Sequence, residues 1–212
     1  MVSSEAIKRL IQRGEGVNLE FKRRINIPSK IAKSLVAFAN TQGGILLIGI
    51  DDNGYVYGVP DEKYPLLTLK KIATTWCSPA IDFTSEMVEL DGRFIIYANI
   101  PESHLKPHFV IPHDTETSTA YIRVENKSVE ASPLRINLMR NTEIDKNYPV
   151  EIGEDERMLF AFLSQYGTIT LEKYLGLSGL SEPMAIEKLS KLISIGLIKS
   201  VVVDNREYFS MS

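Results

Sequence analysis

Hydrophobic and polar positions in the first forty residues change period twice, and each period predicts an element. Apolar residues recur at helical spacing over residues 6–11, which predicts a short amphipathic helix. Residues 17–22 then alternate between apolar and polar, which predicts a strand with an apolar inner face and an outer face that carries Glu20 beside Lys22. A broad apolar stripe over residues 28–39 predicts a second helix.

The following segments favour β-structure. Residues 45–50 are almost wholly apolar, which predicts a strand covered on both faces, and the turn at residues 52–54 predicts a hairpin into residues 55–59. The pattern next predicts a helix, a hairpin, a long loop, a strand and a helix, at residues 66–76, 81–100, 104–119, 120–124 and 132–140. Helices and paired strands in this order predict an α+β domain.

The last sixty residues have a different pattern. Helical periods over residues 154–165, 170–175 and 181–195 precede a β-branched run that turns back into a final strand. Three helices and a hairpin predict a winged-helix domain, a helix-turn-helix variant whose third helix can enter a major groove. Because residues 141–153 are polar, we place the domains at residues 1–149 and 150–212.

Composition and charge limit the classes of function. The 212 residues hold no run near the roughly 18 apolar residues that cross a bilayer, and the N-terminus lacks a signal-peptide core, so we expect a cytoplasmic protein without a membrane partner. Cys77 is the only cysteine, which excludes an intrachain disulfide and a cysteine-based zinc site. The formal charge of −3 is not that of a protein that coats nucleic acid, so any such surface is local.

Four segments together resemble one family. They are EGVNLEFK at 15–22, AFANTQGGILLIGIDDNGYVYGV at 37–59, KPHFV at 106–110 and YIRVENKSVEAS at 121–132. In this order they are similar to the Schlafen-type AlbA-like domain, over roughly residues 1–140. The resemblance implies an α+β nucleic-acid-binding domain with a mixed sheet and helices. In bacterial proteins this domain often precedes a winged helix, and such proteins are labelled DNA-binding or regulatory.

The resemblance also raises an enzymatic alternative. Vertebrate Schlafen proteins cleave RNA with a carboxylate cluster, and Glu15, Glu20 and Asp52 stand at the matching places. Three converging carboxylates can hold a Mg²⁺ or Mn²⁺ ion that stabilises charge on a scissile phosphate. Alternatively, Glu20 pairs with Lys22 on an exposed face and Asp52 supplies turn geometry. The chain departs from those enzymes in its single domain copy, its lack of their zinc ligands and its shorter interval between Glu20 and Asp52.

Basic residues cluster after the first predicted strand, where they can contact phosphates or simply form a solvated face. A second strand extends the cluster if it lies nearby, and the winged helix adds three more candidates. In chain order the candidates are Lys22, Arg23, Arg24, Lys30, Lys33, Arg123, Lys127, Lys188, Lys191 and Arg206. The outer face of the third C-terminal helix holds no arginine, so that domain either reads DNA weakly or mediates dimerisation. Its inner stripe, with Met184 among the predicted core residues, packs inward.

Asn40, Gly43 and Gly44 mark a turn where bare backbone either approaches a phosphate or partner subunit, or only turns tightly. The first hypothesis for the whole chain is therefore a DNA-binding, transcription-regulator-like homodimer without a cofactor. The alternatives are a Mg²⁺- or Mn²⁺-dependent endoribonuclease and a protein-interaction module.

Overall fold

The computed structural model describes residues 2–60, 64–111, 117–141, 152–203 and 206–212. Its contacts divide the chain into two compact units, the first ending at Glu130 and the second beginning at Ala131. This division comes earlier than the predicted boundary at residues 149/150, which itself lies outside the described residues. The helix predicted at residues 132–140 therefore belongs to the second unit.

Among its described residues, the first unit alternates helices with short strands. In chain order the elements are α1 (Ser4–Arg13), β1 (Leu19–Lys22), α2 (Pro28–Ala39), β2 (Gly44–Ile48), α3 (Tyr64–Thr75), β3 (Cys77–Ser78), β4 (Thr84–Leu90), β5 (Arg93–Ile100), β6 (Phe109–Val110), β7 (Tyr121–Val124) and β8 (Lys127–Glu130). The α+β class predicted from the sequence is confirmed.

The main sheet of this unit is mixed, with the strand order β1-β2-β5-β4. Strand β1 runs parallel to β2 because helix α2 carries the chain back between them, whereas β2 and β4 both pair with β5 antiparallel. Two further antiparallel pairs, β3 with β6 and β7 with β8, lie outside this sheet. The segment predicted as a long loop at residues 104–119 therefore contains the short strand β6.

Helices cover both faces of the main sheet. Leu46 and Ile48 pack with α2 and α3 on one face, whereas Leu19, Phe21 and Leu47 pack with α1 on the other. The predicted coverage of both faces of β2 is confirmed, since its last three residues are fully buried. The same coverage overturns the prediction that the polar face of β1 is exposed, because the side of β1 that carries Glu20 lies beneath α2.

The predicted hairpin from residues 45–50 into residues 55–59 is present but much shorter than expected. Strand β2 already pairs on both edges, with β1 and with β5, so the returning chain has no free edge on which to pair. Only the single bridge between Ile50 and Val56 and a second one between Val59 and Phe94 remain. The turn itself is present, because Asp51 Oδ1 accepts hydrogen bonds from the backbone N–H groups of Asn53 (3.0 Å) and Tyr55 (2.9 Å).

The turn between α2 and β2 is packed against the rest of the unit. Gly43 has a φ of +72°, and a Cβ atom there would lie 2.6 Å from the carbonyl oxygen of Ile100. A Cβ atom on Gly44 would lie 2.3 Å from the ring of Phe38. Both glycines are therefore required by close approaches within the first unit, and a contact of this turn with a phosphate or a partner subunit stays a prediction.

The second unit contains helices and one small sheet. Its described elements are α4 (Pro133–Arg140), α5 (Glu154–Tyr166), β9 (Thr168–Ile169), α6 (Leu171–Ser178), α7 (Glu182–Ser194), β10 (Ile198–Val203) and β11 (Arg206–Met211). The sheet has the antiparallel order β10-β11-β9. These elements include the three helices and the hairpin on which the winged-helix prediction rests, and that assignment stays a prediction.

Helix α4 joins the second unit through apolar and polar contacts. Leu134 lies in its core, and the Arg135 guanidinium donates to Glu207 Oε1 at 2.8 Å and to Ser200 Oγ at 2.5 Å. The stripe of α7 is buried at Leu189, but Met184, which was predicted to be core, is 52% exposed. That prediction is wrong because Ala185, Ile186, Leu189 and Leu192 form the buried side of α7, and Met184 lies on the opposite side of the helix.

The close approach at Gly44 gives a stability prediction. We expect Gly44→Ala to lower the free energy of unfolding by about 1–3 kcal/mol, because the added methyl group displaces the Phe38 ring from a close-packed core. Urea denaturation measures this change. Gly16→Ala is the control, since a Cβ atom there meets nothing within 4 Å. Equal stability of the two variants would contradict the packing described at the turn.

Candidate nucleic-acid interface

The centre of the first unit holds a buried ion pair between β1 and β7. The Arg123 guanidinium donates through Nη1 to Glu20 Oε2 at 2.6 Å, and the side chains of the two residues are 1% and 9% exposed. The second carboxylate oxygen of Glu20 accepts from Ser34 Oγ of α2 at 2.7 Å and also pairs with the ammonium group of Lys22. Two cations and a hydroxyl therefore satisfy this carboxylate.

Arg123 uses its remaining N–H groups to hold the chain before β1. Nη2 donates to the carbonyl oxygen of Gly16 at 2.8 Å and Nε to that of Val17 at 3.3 Å, while Nη1 also reaches Ser128 Oγ at 3.0 Å. The guanidinium carbon lies 4.8 Å from the centre of the Phe38 ring. The expectation that Arg123 contacts nucleic acid is therefore wrong, because its side chain is buried and all its donors face the protein.

The side chain of Asn40 likewise forms its hydrogen bonds inside the unit. Its Oδ1 accepts from the backbone N–H of His108 at 2.7 Å, and its Nδ2 donates to the carbonyl oxygens of His108 (2.9 Å) and Tyr121 (3.0 Å). The imidazole of His108 is buried, with Nδ1 2.8 Å from the Pro79 oxygen and Nε2 2.6 Å from Ser103 Oγ. Asn40 is 5% exposed, so it links α2 to two neighbouring segments and offers nothing to a phosphate.

The three carboxylates proposed for a metal ion do not form a metal site. Glu15 Oε1 accepts from the backbone N–H of Phe21 at 2.7 Å, Glu20 is held by the cations described above, and Asp52 is exposed in the turn after β2. Within the described ranges, no group of three histidine, cysteine or acidic residues is arranged to hold a metal ion. A divalent cation at Glu20 would also have to displace Arg123 and Lys22, so the donor set does not fit Mg²⁺ or Mn²⁺.

Five of the predicted basic residues of the first unit lie away from this pair and reach solvent to different extents. Arg24, Lys30 and Lys127 are exposed, Arg23 is exposed and stacks on Tyr57, and Lys33 is half-buried with its Nζ 4.7 Å from the centre of the Tyr121 ring. The contact between Lys33 and Tyr121 places the hairpin of β7 and β8, which carries Lys127, against α2. The second strand that the extended cluster required is therefore nearby. Lys22 instead pairs with Glu20.

The sequence pattern missed three residues on this surface. Tyr55 and Tyr57 are 54% and 40% exposed, and their ring centres are 4.7 Å apart in an edge-to-face arrangement. The guanidinium carbon of Arg23 lies 3.7 Å from the Tyr57 ring centre, and that of Arg93 lies 5.6 Å from the Tyr55 ring centre. The alternation of Tyr55 and Tyr57 with the partly buried Val56 indicates that both rings face outward, although a hairpin strand gives the same pattern.

The outer face of α7 is poor in free positive charge among its described residues. The ammonium group of Lys188 contacts Glu156 and lies 3.4 Å from Asp155 Oδ2, so the expectation that it binds nucleic acid is not supported. Ser190 of the same helix is buried at 1% exposure, while Lys191 is half-buried. Arg206, at the start of β11, is exposed.

The ion pair between Glu156 and Lys188 joins α5 to α7 and shifts the pKa of both groups. Burial by itself raises the pKa of the Glu156 carboxyl, but hydrogen bonds from Lys188 and from the backbone N–H of Gly153 outweigh it and leave the pKa below its ordinary value. The hydrogen bond to Glu156 raises the pKa of the Lys188 ammonium. Both charges are therefore retained at neutral pH.

The family profile described as Schlafen, AlbA_2 matches residues 15–132. The chain belongs to this family. Its AlbA_2 domain thus covers the buried ion pair, the basic residues and the two exposed tyrosines of the first unit. The comparison with curated proteins found no significant match.

Two solved structures also match. One is the solution NMR structure of the N-terminal domain of an ATP-dependent DNA helicase RecG-related protein from Nitrosomonas europaea, 22% identical, with a TM-score of 0.45, over 58% of this chain and 88% of that chain. The other is a crystal structure of a protein from Corynebacterium diphtheriae, 17% identical, with a TM-score of 0.46, over 92% of this chain and 34% of that chain. Among the described helices of this chain, none combines the length and apolar character needed to span a membrane.

The buried pair gives a second stability prediction. We expect Glu20→Gln to lower the free energy of unfolding by about 3–5 kcal/mol, because the Arg123 charge stays buried without its counter-charge. Urea denaturation measures the loss. Lys22→Gln is the control, since that ammonium group is partly exposed and its loss should cost much less. If the free energy of unfolding of Glu20→Gln equals that of the unmodified chain, the pair does not stabilise the AlbA_2 domain.

The second unit gives a pH prediction. A Glu156 pKa that is lower in the folded than in the unfolded chain contributes stability above its ordinary value of 4.5, and this contribution disappears as the pH falls through the lowered pKa. We therefore expect hydrogen exchange in α5 and α7 to accelerate more steeply below pH 4.5 in the unmodified chain than in Glu156→Gln. Glu154→Gln, at an exposed position of the same helix, should retain the steep dependence. Identical profiles for all three proteins would refute the role of Glu156.

Proposed function

We propose that the chain is a nucleic-acid-binding protein whose partner is DNA and whose role is that of a transcription regulator. The observation that carries this proposal is the basic surface where β1 leads into α2. It comprises Arg23, Arg24, Lys30 and Lys33, with Lys127 on the adjoining hairpin of β7 and β8. Among the described residues, none of these five forms an ion pair with a carboxylate, so their charges remain available to phosphates.

The basic surface lies on elements that are tied to the buried ion pair, which suits it to a fixed arrangement of phosphates. Arg23 and Arg24 directly follow β1, whose position is held by the pair of Glu20 and Arg123. Lys30 and Lys33 are one turn apart on α2, and Ser34 of the same helix bonds Glu20. Backbone contacts of this kind give affinity that is independent of base sequence and sensitive to salt. Membership in the AlbA_2 family supports the proposal, because the resemblance implies a nucleic-acid-binding domain.

We propose a different role for the second unit, whose elements suit a winged-helix domain. Lys188 is engaged by Glu156 and Asp155, and the exposed outer residues Glu182 and Glu187 of α7 carry negative charge. Such a helix offers little attraction to phosphates, so we assign this unit to orientation or dimerisation instead of base reading. A symmetric homodimer would present two AlbA_2 domains to one duplex.

The proposal predicts a salt-dependent binding defect. We expect the double substitution Arg24→Ala with Lys30→Ala to weaken binding of a labelled DNA duplex to a similar degree for unrelated sequences. The slope of log K against log salt concentration should fall by about 0.9 for each phosphate that the variant no longer neutralises. Fluorescence anisotropy over a series of salt concentrations measures both quantities.

The matched control removes two positive charges from a different helix. Lys70 and Lys71 are exposed on α3, and their double substitution by alanine changes the net charge equally. An equal loss of affinity in this control would mean that only net charge matters and that the surface at β1 and α2 is not the site. No binding of the unmodified chain to duplex DNA, single strands or tRNA would overturn the proposed function and favour a protein-interaction module.

A further inference from the structure

Resting on the proposed function, we infer that the AlbA_2 domain carries a stacking platform for the unpaired bases of a single-stranded nucleic acid. The platform is an arginine–tyrosine ladder formed by Arg23, Tyr57, Tyr55 and Arg93, in that spatial order. It adds base contacts to a surface that otherwise offers only positive charge to phosphates. A single strand is the fitting class of ligand because its base faces are accessible, whereas those of a duplex are covered by neighbouring pairs.

The ladder combines exposed rings with planar cations. Tyr55 and Tyr57 are 54% and 40% exposed although they are large aromatic residues. Arg23 lies 3.7 Å from one ring centre and Arg93 lies 5.6 Å from the other, so each end of the tyrosine pair is covered by a guanidinium group. Bases stack on tyrosine rings and on guanidinium planes, and the positive charge attracts the adjoining phosphates.

The backbone beneath the ladder holds the tyrosines in place. The N–H groups of Tyr57 and Gly58 both donate to the carbonyl oxygen of Gly49, at 2.8 and 2.9 Å, and Val59 N donates to the Phe94 oxygen at 2.6 Å. Gly49 and Gly58 lie so close that a Cβ atom on Gly49 would be 3.1 Å from the carbonyl carbon of Gly58. Rings presented on such a segment lose little conformational freedom when a ligand binds.

The charge around the ladder favours nucleic acid over an apolar protein segment. Arg24 follows Arg23 and is exposed, so three guanidinium groups belong to this region. Within the part of the chain that the structure describes, none of the three forms an ion pair with a carboxylate. Arg93 instead donates to the carbonyl oxygen of Val56, which fixes its position beside Tyr55. An apolar partner would have to cover these charges without neutralising them.

Alanine substitution of the ladder tyrosines tests this inference. We expect Tyr55→Ala with Tyr57→Ala in the full chain to weaken binding of a fluorescein-labelled single strand of about 15 nucleotides by roughly 5-fold to 100-fold per stacked base. Binding of a duplex of the same sequence should change much less. Tyr55→Phe with Tyr57→Phe should bind like the unmodified chain, because phenylalanine keeps the stacking face. Circular dichroism and urea denaturation verify that each variant is folded.

Tyr64→Ala is the matched control, since Tyr64 is 72% exposed on α3 and outside the ladder. A second readout uses Tyr57→Trp, whose fluorescence should be quenched by the single strand, whereas Tyr64→Trp should not respond beyond the background of Trp76. The inference about the ladder would be wrong if the double alanine variant kept its affinity for the single strand, or if Tyr64→Ala lost as much. Either result would leave the proposed function standing. Failure of the unmodified chain to bind any nucleic acid would overturn the proposed function with it.

Discussion

The buried ion pair between Glu20 and Arg123 determines how the first unit is put together. It joins β1 to β7, and through Ser34 it also reaches α2. The cost of taking two charges out of water is offset here by complete pairing, with the spare donors of Arg123 bound to Gly16, Val17 and Ser128. Segments that are far apart in the chain thus meet at one carboxylate.

This arrangement explains why the interior polar residues and the surface have separate roles. Arg123, Asn40 and His108 belong to the interior of the AlbA_2 domain and are satisfied by protein groups. With Glu20 committed to cations, the remaining positive charges after β1 face outward, where phosphates are the complementary partners. The position that could have supplied a metal ligand instead anchors the basic surface.

In the second unit, ion pairs also hold the elements together, but they use cations that a ligand could otherwise contact. Its charged residues pair with one another, Lys188 with Glu156 and Arg135 with Glu207, and these pairs connect helices and the hairpin within the unit. Cations used in this way are not available to a ligand. This pairing supports the orientation or dimerisation that we propose for the unit, in keeping with the absence of arginine from α7.

The sequence by itself determined most elements of this protein, because helical and alternating periods are local properties that burial on one face imposes. It also determined the family, since the segments at residues 15–59 and 106–132 occur in a fixed order. Only the tertiary structure decided that Glu20, Arg123 and Lys188 form ion pairs, because their partners lie more than thirty positions away in the chain. Likewise, the predicted hairpin after β2 is limited to one antiparallel bridge because β1 and β5 fill the edges of β2, and that competition between strands is not encoded in any local period.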